Sequence, residues 1–551
     1  MRGTFIIVLL SMLGTAPGQI ATQEQKCSIE GRVTAAATGE PLRRATVILR
    51  TTEGRENPYS ASTDPSGRYV IPGVEPGRYR LYAQRDGFVR QEYGQKTTER
   101  SGVPVVLSAG QDLKTIDFQL IRSGVISGRV TNEDGEPAPL VRIQGYRRAY
   151  VQGRRQLMPV GMALTNDLGE YRLFGLQPGS YYVSAVSSRN TAGMVFGQGA
   201  AARGRMAAPA ESGYPPLFYP NALDVRQAAQ IQVTPGGEAR GTDFRLLPTS
   251  TVRLRGRIDG LPAEMRRQAM ITLVPREELV VNFANRTNVR ADPQGNFEIR
   301  GVVPGDYTLA AEVFQQGKRQ SARRVIQVGT ADLDDIVLTL ASPVSLSGYI
   351  RTEGEGTVDL SQIRVYLQPL EPSRLGGAGT GEVRADGLFV VENVVPGRYQ
   401  VYVIHRSDEF YLKSVRMGNQ EIAGGELDLS AGAAPAPLEL VLRAGAGQVS
   451  GMVMGPENSP ALGVTVVAVP EESRRNESRL YKSVASDQSG QFTLKGLVPG
   501  EYKLFAWEEI EPGAYQDPEF LKPFESRGKA ITVAENGREA VQLQMIPADT
   551  R

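Results

Sequence analysis

The sequence predicts an all-β protein of five tandem Greek-key β-sandwich domains that follow an N-terminal signal peptide. Three observations support this prediction. One turn motif occurs five times along the 551 residues. Within each repeat, apolar residues alternate with a period of two, which is typical of a half-buried strand and not of a helix. The 61 Gly and 35 Pro recur between the apolar runs, as turn residues do in all-β proteins.

The first 21 residues have the pattern of an export signal. Arg2 supplies a positive start, residues 5–13 form a short apolar stretch, and residues 15–21 include the small side chains that suit cleavage. We therefore expect export to the periplasm, the cell surface or the exterior. No later segment approaches the roughly 20 consecutive apolar residues that a spanning helix needs, so no transmembrane segment is expected in the mature chain.

Length and charge restrict the remaining possibilities. A chain of 551 residues is too long to fold around one hydrophobic core, since the lengths of domains cluster near roughly 100 to 150 residues. The formal charge is +2, from 62 basic and 60 acidic residues spread along the chain, so no overall basic field favours nucleic acid. Cys27 is the single cysteine, which excludes an internal disulfide and predicts a free thiol.

The repeated motif combines an Asp-x-x-Gly turn with a Pro-Gly-x-Tyr segment. In every copy the turn glycine precedes the Pro-Gly glycine by ten residues. The two glycines and the tyrosine of the five copies are Gly67, Gly77 and Tyr79; Gly169, Gly179 and Tyr181; Gly295, Gly305 and Tyr307; Gly387, Gly397 and Tyr399; and Gly490, Gly500 and Tyr502. The copies begin at Asp64, Asp167, Asp292, Asp386 and Asp487.

A short strand with a central glycine lies upstream of each copy, and these strands mark five module starts. The central glycines are Gly31, Gly128, Gly256, Gly348 and Gly451. Modules are predicted at residues 27–121, 122–248, 249–341, 342–443 and 444–546, with a long loop near 186–220 in module 2. Because the linkers are short, we expect a rod or gently bent string in which each module contacts its neighbours.

Both parts of the motif have a structural interpretation. A strand that begins with an inward tyrosine after Pro-Gly is how β-sandwiches tie a corner, with the hydroxyl bonded to nearby backbone. In the turn, Asp can accept a hydrogen bond from the backbone two residues on, while Gly supplies positive φ. Calcium binding by the aspartates is the alternative, although each turn offers one carboxylate and calcium takes six to eight oxygens.

Module 4 departs from the turn pattern. Arg384 stands at the place of Asp64, Asp386 lies beside the glycine, and Asn393 replaces the second glycine of the other copies. Its turn is expected to differ in detail and not in topology.

The combined motifs resemble the carboxypeptidase regulatory-like domain. They are Gly-Arg-Val, then Gly-Glu-Pro (39–41 and 135–137), then Asp-x-x-Gly-x-Tyr, then Pro-Gly-x-Tyr. The resemblance implies a transthyretin-like, prealbumin-type sandwich, grouped with carbohydrate-binding-like and collagen-adhesin B-type folds. It also implies a non-catalytic domain, because the regulatory domain is an appendage of the carboxypeptidases. Fibronectin type III domains share the Pro-Gly-x-Tyr corner and are the alternative, but they lack the preceding turn.

Residues for catalysis are scarce in the sequence. A catalytic zinc needs three protein ligands, whereas this chain has one His and one Cys, in different modules. His405, with Ser407 and Asp408, offers the residue types of a triad, but a triad is defined by geometry, and a lone histidine after a strand is typical of a solvated loop. We expect no enzyme, no cofactor and no metal.

Aromatic side chains are the candidate ligand-binding residues, because exposed rings can stack on sugar faces. The candidates are Tyr214, Phe218, Tyr219, Phe88, Tyr93 and Trp507. The alternative is that they bury the core or cover a sandwich edge. The function predicted is that of a non-catalytic exported or cell-envelope binding or structural protein, with polysaccharide or an envelope protein as partner. A carbohydrate-binding accessory protein and a divergent hydrolase are the alternatives.

Overall fold

The computed structural model describes residues 25–548, apart from 53–57, 96, 98–101, 152, 188–211, 277–286, 316–317, 371–378, 406 and 431–435. The predicted signal peptide and most of the predicted module 2 loop lie outside the described residues. The fold class is confirmed, since the described residues form successive pairs of β-sheets, each pair within one repeat.

In the described residues, modules 1 and 2 comprise nineteen strands, and a further strand, β20, stands at the start of module 3. Module 1 contains β1 (Cys27–Ala35), β2 (Thr46–Thr51), β3 (Tyr59–Ser62), β4 (Arg68–Val74), β5 (Gly77–Gln84), β6 (Gln91–Glu92), β7 (Val105–Leu107), β8 (Asp112–Leu113) and β9 (Phe118–Leu120). Module 2 contains β10 (Gly124–Thr131), β11 (Arg142–Val151), β12 (Arg154–Leu164), β13 (Glu170–Leu176), β14 (Gly179–Val186), β15 (Ser212–Gly213), β16 (Leu217–Phe218), β17 (Ile231–Val233), β18 (Glu238–Ala239) and β19 (Phe244–Arg245); β20 (Thr249–Ser250) pairs with β15.

The later modules repeat the plan. Module 3 contains β21 (Val252–Asp259), β22 (Met270–Pro275), β23 (Thr287–Arg290), β24 (Asn296–Val302), β25 (Gly305–Gln315), β26 (Lys318–Val328) and β27 (Leu333–Thr339). Module 4 contains β28 (Val344–Glu353), β29 (Arg364–Pro369), β30 (Gly379–Glu382), β31 (Leu388–Val394), β32 (Arg398–Ile404), β33 (Phe410–Met417), β34 (Gln420–Glu421), β35 (Glu426–Asp428) and β36 (Leu438–Ala444). Module 5 contains β37 (Gly447–Met454), β38 (Thr465–Pro470), β39 (Lys482–Ala485), β40 (Gln491–Leu497), β41 (Gly500–Trp507), β42 (Lys529–Val533) and β43 (Arg538–Gln544).

Helical structure is limited in the described part of the chain to α1 (Pro518–Leu521) and to short 3-10 turns. The 3-10 turns are Val225–Gln227, Ala263–Gln268, Leu360–Gln362, Ala423–Gly425, Glu472–Arg474, Ser478–Leu480, Ala514–Gln516 and Lys522–Arg527. Among these described helices, none is long and apolar enough to cross a membrane.

The two sheets of a module follow one topology. In module 1, β1 pairs antiparallel with β4 and parallel with β8 and β9, and the second sheet runs β3-β2-β5-β6 with β7 also on β5. Inward residues of both sheets form one hydrophobic cluster. Four further clusters of this kind occur, one in each later module. The module boundaries predicted from the sequence stay a proposal.

The glycine in the middle of each opening strand faces the same two neighbours in all five modules. Gly31 pairs with Tyr69 of β4, and a Cβ on Gly31 would lie 2.0 Å from the carbonyl oxygen of Ile116. The same pairing joins each of the other opening strands to an aromatic residue: Gly128 with Tyr171, Gly256 with Phe297, Gly348 with Phe389, and Gly451 with Phe492. Glycine is required here because the closing segment approaches the opening strand too closely for a side chain.

Contacts between distant modules contradict the expected rod. Val106 of module 1 exchanges two hydrogen bonds with the side chain of Gln488 in module 5, at 3.3 and 3.2 Å. Tyr150, at the end of β11 in module 2, packs edge-on against Phe520 of module 5, with ring centres 6.3 Å apart. The last module therefore contacts the first two. Such contacts cannot be predicted from linker length alone, since they depend on the angle between successive modules at every junction.

Candidate functional site

The turn residues of the repeat are bonded to their own backbone. Oδ1 of Asp64 accepts hydrogen bonds from the backbone N–H of Ser66 and Arg68, at 2.8 and 2.9 Å. The hydroxyl of Ser66 donates to the same oxygen. These hydrogen bonds, with that from the Ser66 side chain the largest cause, hold the pKa of Asp64 below its ordinary value. The carboxylate thus caps the turn, as the sequence predicts.

In module 2 the capping residue differs from the one named from the sequence. Asn166, and not Asp167, accepts from the backbone N–H of Leu168 and Glu170, at 3.0 and 2.8 Å. The position is set by its distance of three residues from Gly169, as for Asp64 and Gly67. A neutral amide oxygen therefore serves the turn as well as a carboxylate does.

We expect Asp64→Asn to change the free energy of unfolding by less than about 1 kcal/mol, because an amide oxygen keeps the turn bonds. Gly67→Val should lower it by about 3 kcal/mol, since φ is positive there. Gly67 has φ of 74°, and its Cβ would lie 2.7 Å from the carbonyl oxygen of Val33. Thermal unfolding with and without chelator measures both effects. Melting of the parent that depends on chelator would contradict this interpretation and favour the calcium alternative.

The five repeat tyrosines close their corners in the same way. Each is buried, and each hydroxyl donates to the backbone carbonyl four residues earlier in the chain. The pairs are Tyr79 with Glu75, Tyr181 with Gln177, Tyr307 with Val303, Tyr399 with Val395, and Tyr502 with Val498, at 2.5 to 2.9 Å. Burial and the hydroxyl bond both agree with the strand alternation in the sequence.

Three of the aromatic candidates are buried. Phe218 and Trp507 are each 2% exposed, and Tyr214 is 6% exposed and donates to Glu133. Trp507 stacks on Phe505, with ring centres 4.9 Å apart. Rings buried to this extent cannot present a face to a sugar, so the structural alternative holds for these three.

The other candidates are half-buried. Tyr93 packs edge-on against Phe118 of the module 1 core, with ring centres 6.1 Å apart. Tyr219 does the same with Phe244 in module 2, also at 6.1 Å. Phe88 differs from both, because it lines a concave surface on module 1.

This concave surface, which we call the arginine groove, is defined by Arg43, Arg44, Arg85, Arg90 and Phe88. Its volume is about 590 Å3. One wall precedes β2 and the other follows β5, and the two strands are neighbours in the sheet, with Thr46 opposite Gln84. The groove therefore lies at one end of the second sheet of module 1.

The aromatic rings near the groove are covered by guanidinium groups. Arg85 and Arg122 both lie over the ring of Phe88, 5.5 and 5.6 Å from its centre. Arg90 lies 4.2 Å from the centre of the Tyr82 ring. These are cation–π distances, which orient the guanidinium groups while leaving their N–H donors available.

Among the described residues that line the groove, four arginines stand against one acid, so the groove has a surplus of positive charge. Asp86 is the single acid that lines it, and no described carboxylate forms an ion pair with its four arginines. Nearby, by contrast, Arg80 pairs with Glu92 at 2.6 Å. An anion would therefore find donors that are not already engaged by acids.

The groove backbone is held in place on both walls. Before β2, the N–H of Arg44 donates to the carbonyl of Thr63 at 3.0 Å; the next two bonds hold the wall after β5. The N–H of Phe88 donates to the carbonyl of Arg85, and that of Ser123 to Gly87, both at 3.0 Å. Arg44 has φ of 57°, a conformation that an L-residue adopts at a cost of about 1 kcal/mol. Module 5 has Gly463 before β38, with φ of 69°. Leu140 of module 2 has φ of 57° before β11, so this backbone conformation belongs to the repeated turn.

Metal ligands are not grouped in the described part of the chain: no three His, Cys, Asp or Glu side chains there could hold an ion together. His405 is half-buried at the end of β32, and burial lowers the pKa of its imidazole. Cys27 is a free, buried thiol.

Comparison with known proteins identifies the first module. Residues 28–121, which contain the arginine groove and all but the first residue of β1 to β9, match the carboxypeptidase regulatory-like domain family. Module 1 is a carboxypeptidase regulatory-like domain. The resemblance seen in the motifs is therefore confirmed for this domain. No match is found among curated proteins.

Solved structures with similarity to the chain include bacterial pilins. The minor pilin GBS52 of Streptococcus agalactiae is 13% identical over 41% of this chain and 97% of that chain, with a TM-score of 0.23. The major pilin subunit BcpA of Bacillus cereus is 10% identical over 57% and 99%, with a TM-score of 0.15. The major pilin SpaD of Corynebacterium diphtheriae is 11% identical over 57% and 98%, with a TM-score of 0.16.

The arginine groove was missed by the sequence reasoning, which singled out Phe88 for its ring and not for its neighbours. The signal that could have found it is Arg43-Arg44 before one strand and Arg85 and Arg90 after the strand paired with it. Antiparallel pairing brings the start of one strand to the end of the other.

Proposed function

We propose that the protein is an exported, non-catalytic binding protein of the cell envelope, in which five sandwich modules form a scaffold. The arginine groove of the regulatory-like domain carries this proposal. It combines a concave shape, a fixed backbone and arginines that no described acid neutralises.

The repeated polar residues support a scaffold role. Asp64 and Asn166 cap turns, and the five corner tyrosines donate to backbone carbonyls. A residue whose hydrogen-bonding groups are engaged by its own backbone stabilises the module instead of acting on a substrate. The pattern of residues 1–21 supports export.

Co-sedimentation with isolated bacterial envelopes tests the proposed function. The full chain should bind, and binding should be unchanged by chelator and by Asp64→Asn, because neither alters the groove. Absence of binding to every envelope fraction would contradict the proposal. Turnover of any envelope component that a single substitution abolishes would also contradict it, in favour of the hydrolase alternative.

A carbohydrate-binding accessory protein is the second candidate function. It is favoured by the volume of the arginine groove, about 590 Å3, which falls in the usual range of ligand sites, roughly 300 to 1,000 Å3. Retention on immobilised polysaccharide, rather than on envelope proteins, distinguishes it from a structural role.

A further inference from the structure

We propose that the arginine groove binds an acidic polysaccharide through the carboxylate or sulfate groups of its sugars. This inference rests on the proposed binding function and adds the chemical class of the ligand. The ligand class follows from the charge of the groove, from the guanidinium groups that cover its aromatic rings and from the short range of that charge.

Charge selects an anion that offers two oxygens to one guanidinium group. Arginine presents five N–H donors in a fork that matches two oxygens of one carboxylate or sulfate. Four such forks line the groove, and Asp86 is the single acid among its lining residues. Several anionic groups at once are needed to engage them, which favours a polymer with a charge on successive units over a single small anion.

The aromatic rings favour a sugar acid over a nucleobase. Phe88 lies under two guanidinium groups and Tyr82 under a third. A base that stacks in a binding site needs a free ring face, and these rings are already engaged by cations. The ligand must therefore be held by hydrogen bonds and charge, as the acidic groups of a polysaccharide can be.

Local charge, rather than the charge of the whole chain, provides the attraction. The chain as a whole carries a formal charge of +2, so a long-range field that would concentrate duplex nucleic acid is weak. Within about 10 Å, the screening length at ordinary salt, the groove has a surplus of arginine. Binding should therefore be local, with a ligand that fits the groove.

Direct binding measurements on the full chain test this assignment. The probes are polygalacturonate, which carries carboxylates, dextran sulfate, which carries sulfates, and neutral dextran. The parent should bind one or both charged polymers and should not bind neutral dextran. Binding should weaken as salt concentration rises, because it depends on charge.

The decisive variant is Arg43→Gln combined with Arg44→Gly. It removes two forks, and it leaves the backbone at position 44 in a conformation that glycine adopts without strain, as Gly463 does in module 5. Each lost charge-assisted hydrogen bond should weaken binding about tenfold or more. Circular dichroism of the variant confirms that the modules are folded.

A matched control uses the same backbone position in another module. Leu140 of module 2 has φ of 57°, as Arg44 has, so Leu140→Gly makes the same backbone change without loss of charge. The second change of the control is Arg364→Gln, which removes an exposed arginine of module 4 that pairs with Glu382. The double variant should bind the charged polymers as the parent does.

Three results would overturn the assignment. The first is that the parent binds neither charged polymer, and the second is that the parent and the Arg43/Arg44 variant bind them equally. The third is that the parent binds duplex DNA with the same affinity as the charged polymers and loses that binding in the variant. If the Arg43/Arg44 variant binds the charged polymers as the parent does and both proteins co-sediment with envelopes, the groove assignment fails while the proposed binding function stands.

Discussion

Replacing Gly451 by alanine is expected to lower the free energy of unfolding of module 5 by about 3 kcal/mol. A Cβ at this position would lie 1.7 Å from the carbonyl oxygen of Val541 and 3.2 Å from the ring of Phe492. The first contact is with backbone, so it cannot be relieved by rotation of a side chain. The opening and closing strands, which run parallel side by side, would have to separate.

The single tryptophan of the chain makes this effect measurable in the intact protein. Trp507 lies in β41 of module 5 and is 2% exposed. Its fluorescence during urea unfolding therefore reports module 5 while the other four modules are present. The transition should move to lower urea in Gly451→Ala.

Gly455→Ala is the matched control within the same module. Its Cβ would meet the carbonyl oxygen of Ser459 at 3.5 Å, an ordinary contact, and its φ is not positive. This variant should remain within about 1 kcal/mol of the parent. If Gly451→Ala unfolds at the same urea concentration as Gly455→Ala, the closing strand does not lie close enough to Gly451 to exclude a side chain.

The fold could be predicted because a local pattern recurs along the chain. In four of the five copies Asp or Asn stands three residues before the turn glycine and specifies a tight turn, and in all five Pro-Gly-x-Tyr specifies a corner; both depend on residues close in the sequence. Alternation of period two then assigned the inward face of each strand. The opening-strand glycines were recognised as markers, but their physical reason requires the closing segment, roughly 85 residues later in module 1.

The candidate site was harder to predict because it depends on contacts between segments far apart in sequence. Arg43 and Arg90 are 47 positions apart, and they share a groove through the pairing of β2 with β5. Phe88 was chosen as a sugar platform, yet two guanidinium groups lie over its ring. An exposed aromatic and an aromatic engaged by cations have the same appearance in sequence.

The return of module 5 to modules 1 and 2 could not be predicted from any repeat. Its contacts include Thr97 with Glu509 at 3.0 Å and Arg155 with Glu511 at 3.3 Å. Each such polar contact contributes little by itself, and the residues have no distinctive spacing. Only the sum of the junction geometries brings them together.

Truncation of the corner tyrosine of module 5 is the second change with a large expected effect. Tyr502→Ala should lower the free energy of unfolding of that module by about 3 to 5 kcal/mol, as for other large buried side chains. Tyr502 is 3% exposed and belongs to the module 5 core. Trp507 fluorescence again provides the measurement, and an unchanged urea midpoint would show that the corner does not stabilise the module.

Tyr502→Phe separates the ring from the hydroxyl. It keeps the packed ring but removes the hydrogen bond to the carbonyl of Val498, 2.8 Å long, and should cost about 1 kcal/mol. A loss as large as that of Tyr502→Ala would assign the stabilisation to the hydroxyl, contrary to our interpretation.

The parent and Tyr502→Phe should differ in how the stability of module 5 responds to alkaline pH. Burial raises the pKa of Tyr502 from 10.0 to about 12, so the folded module favours the neutral phenol. The stabilisation is complete below the unfolded pKa and is lost as pH rises from about 10 to 12. Tyr502→Phe removes this titration, while Tyr481, whose pKa burial raises to about 12 as well, remains. The alkaline loss of module 5 stability should therefore be smaller in Tyr502→Phe than in the parent; an identical pH dependence would mean that Tyr502 is accessible to solvent in the folded module.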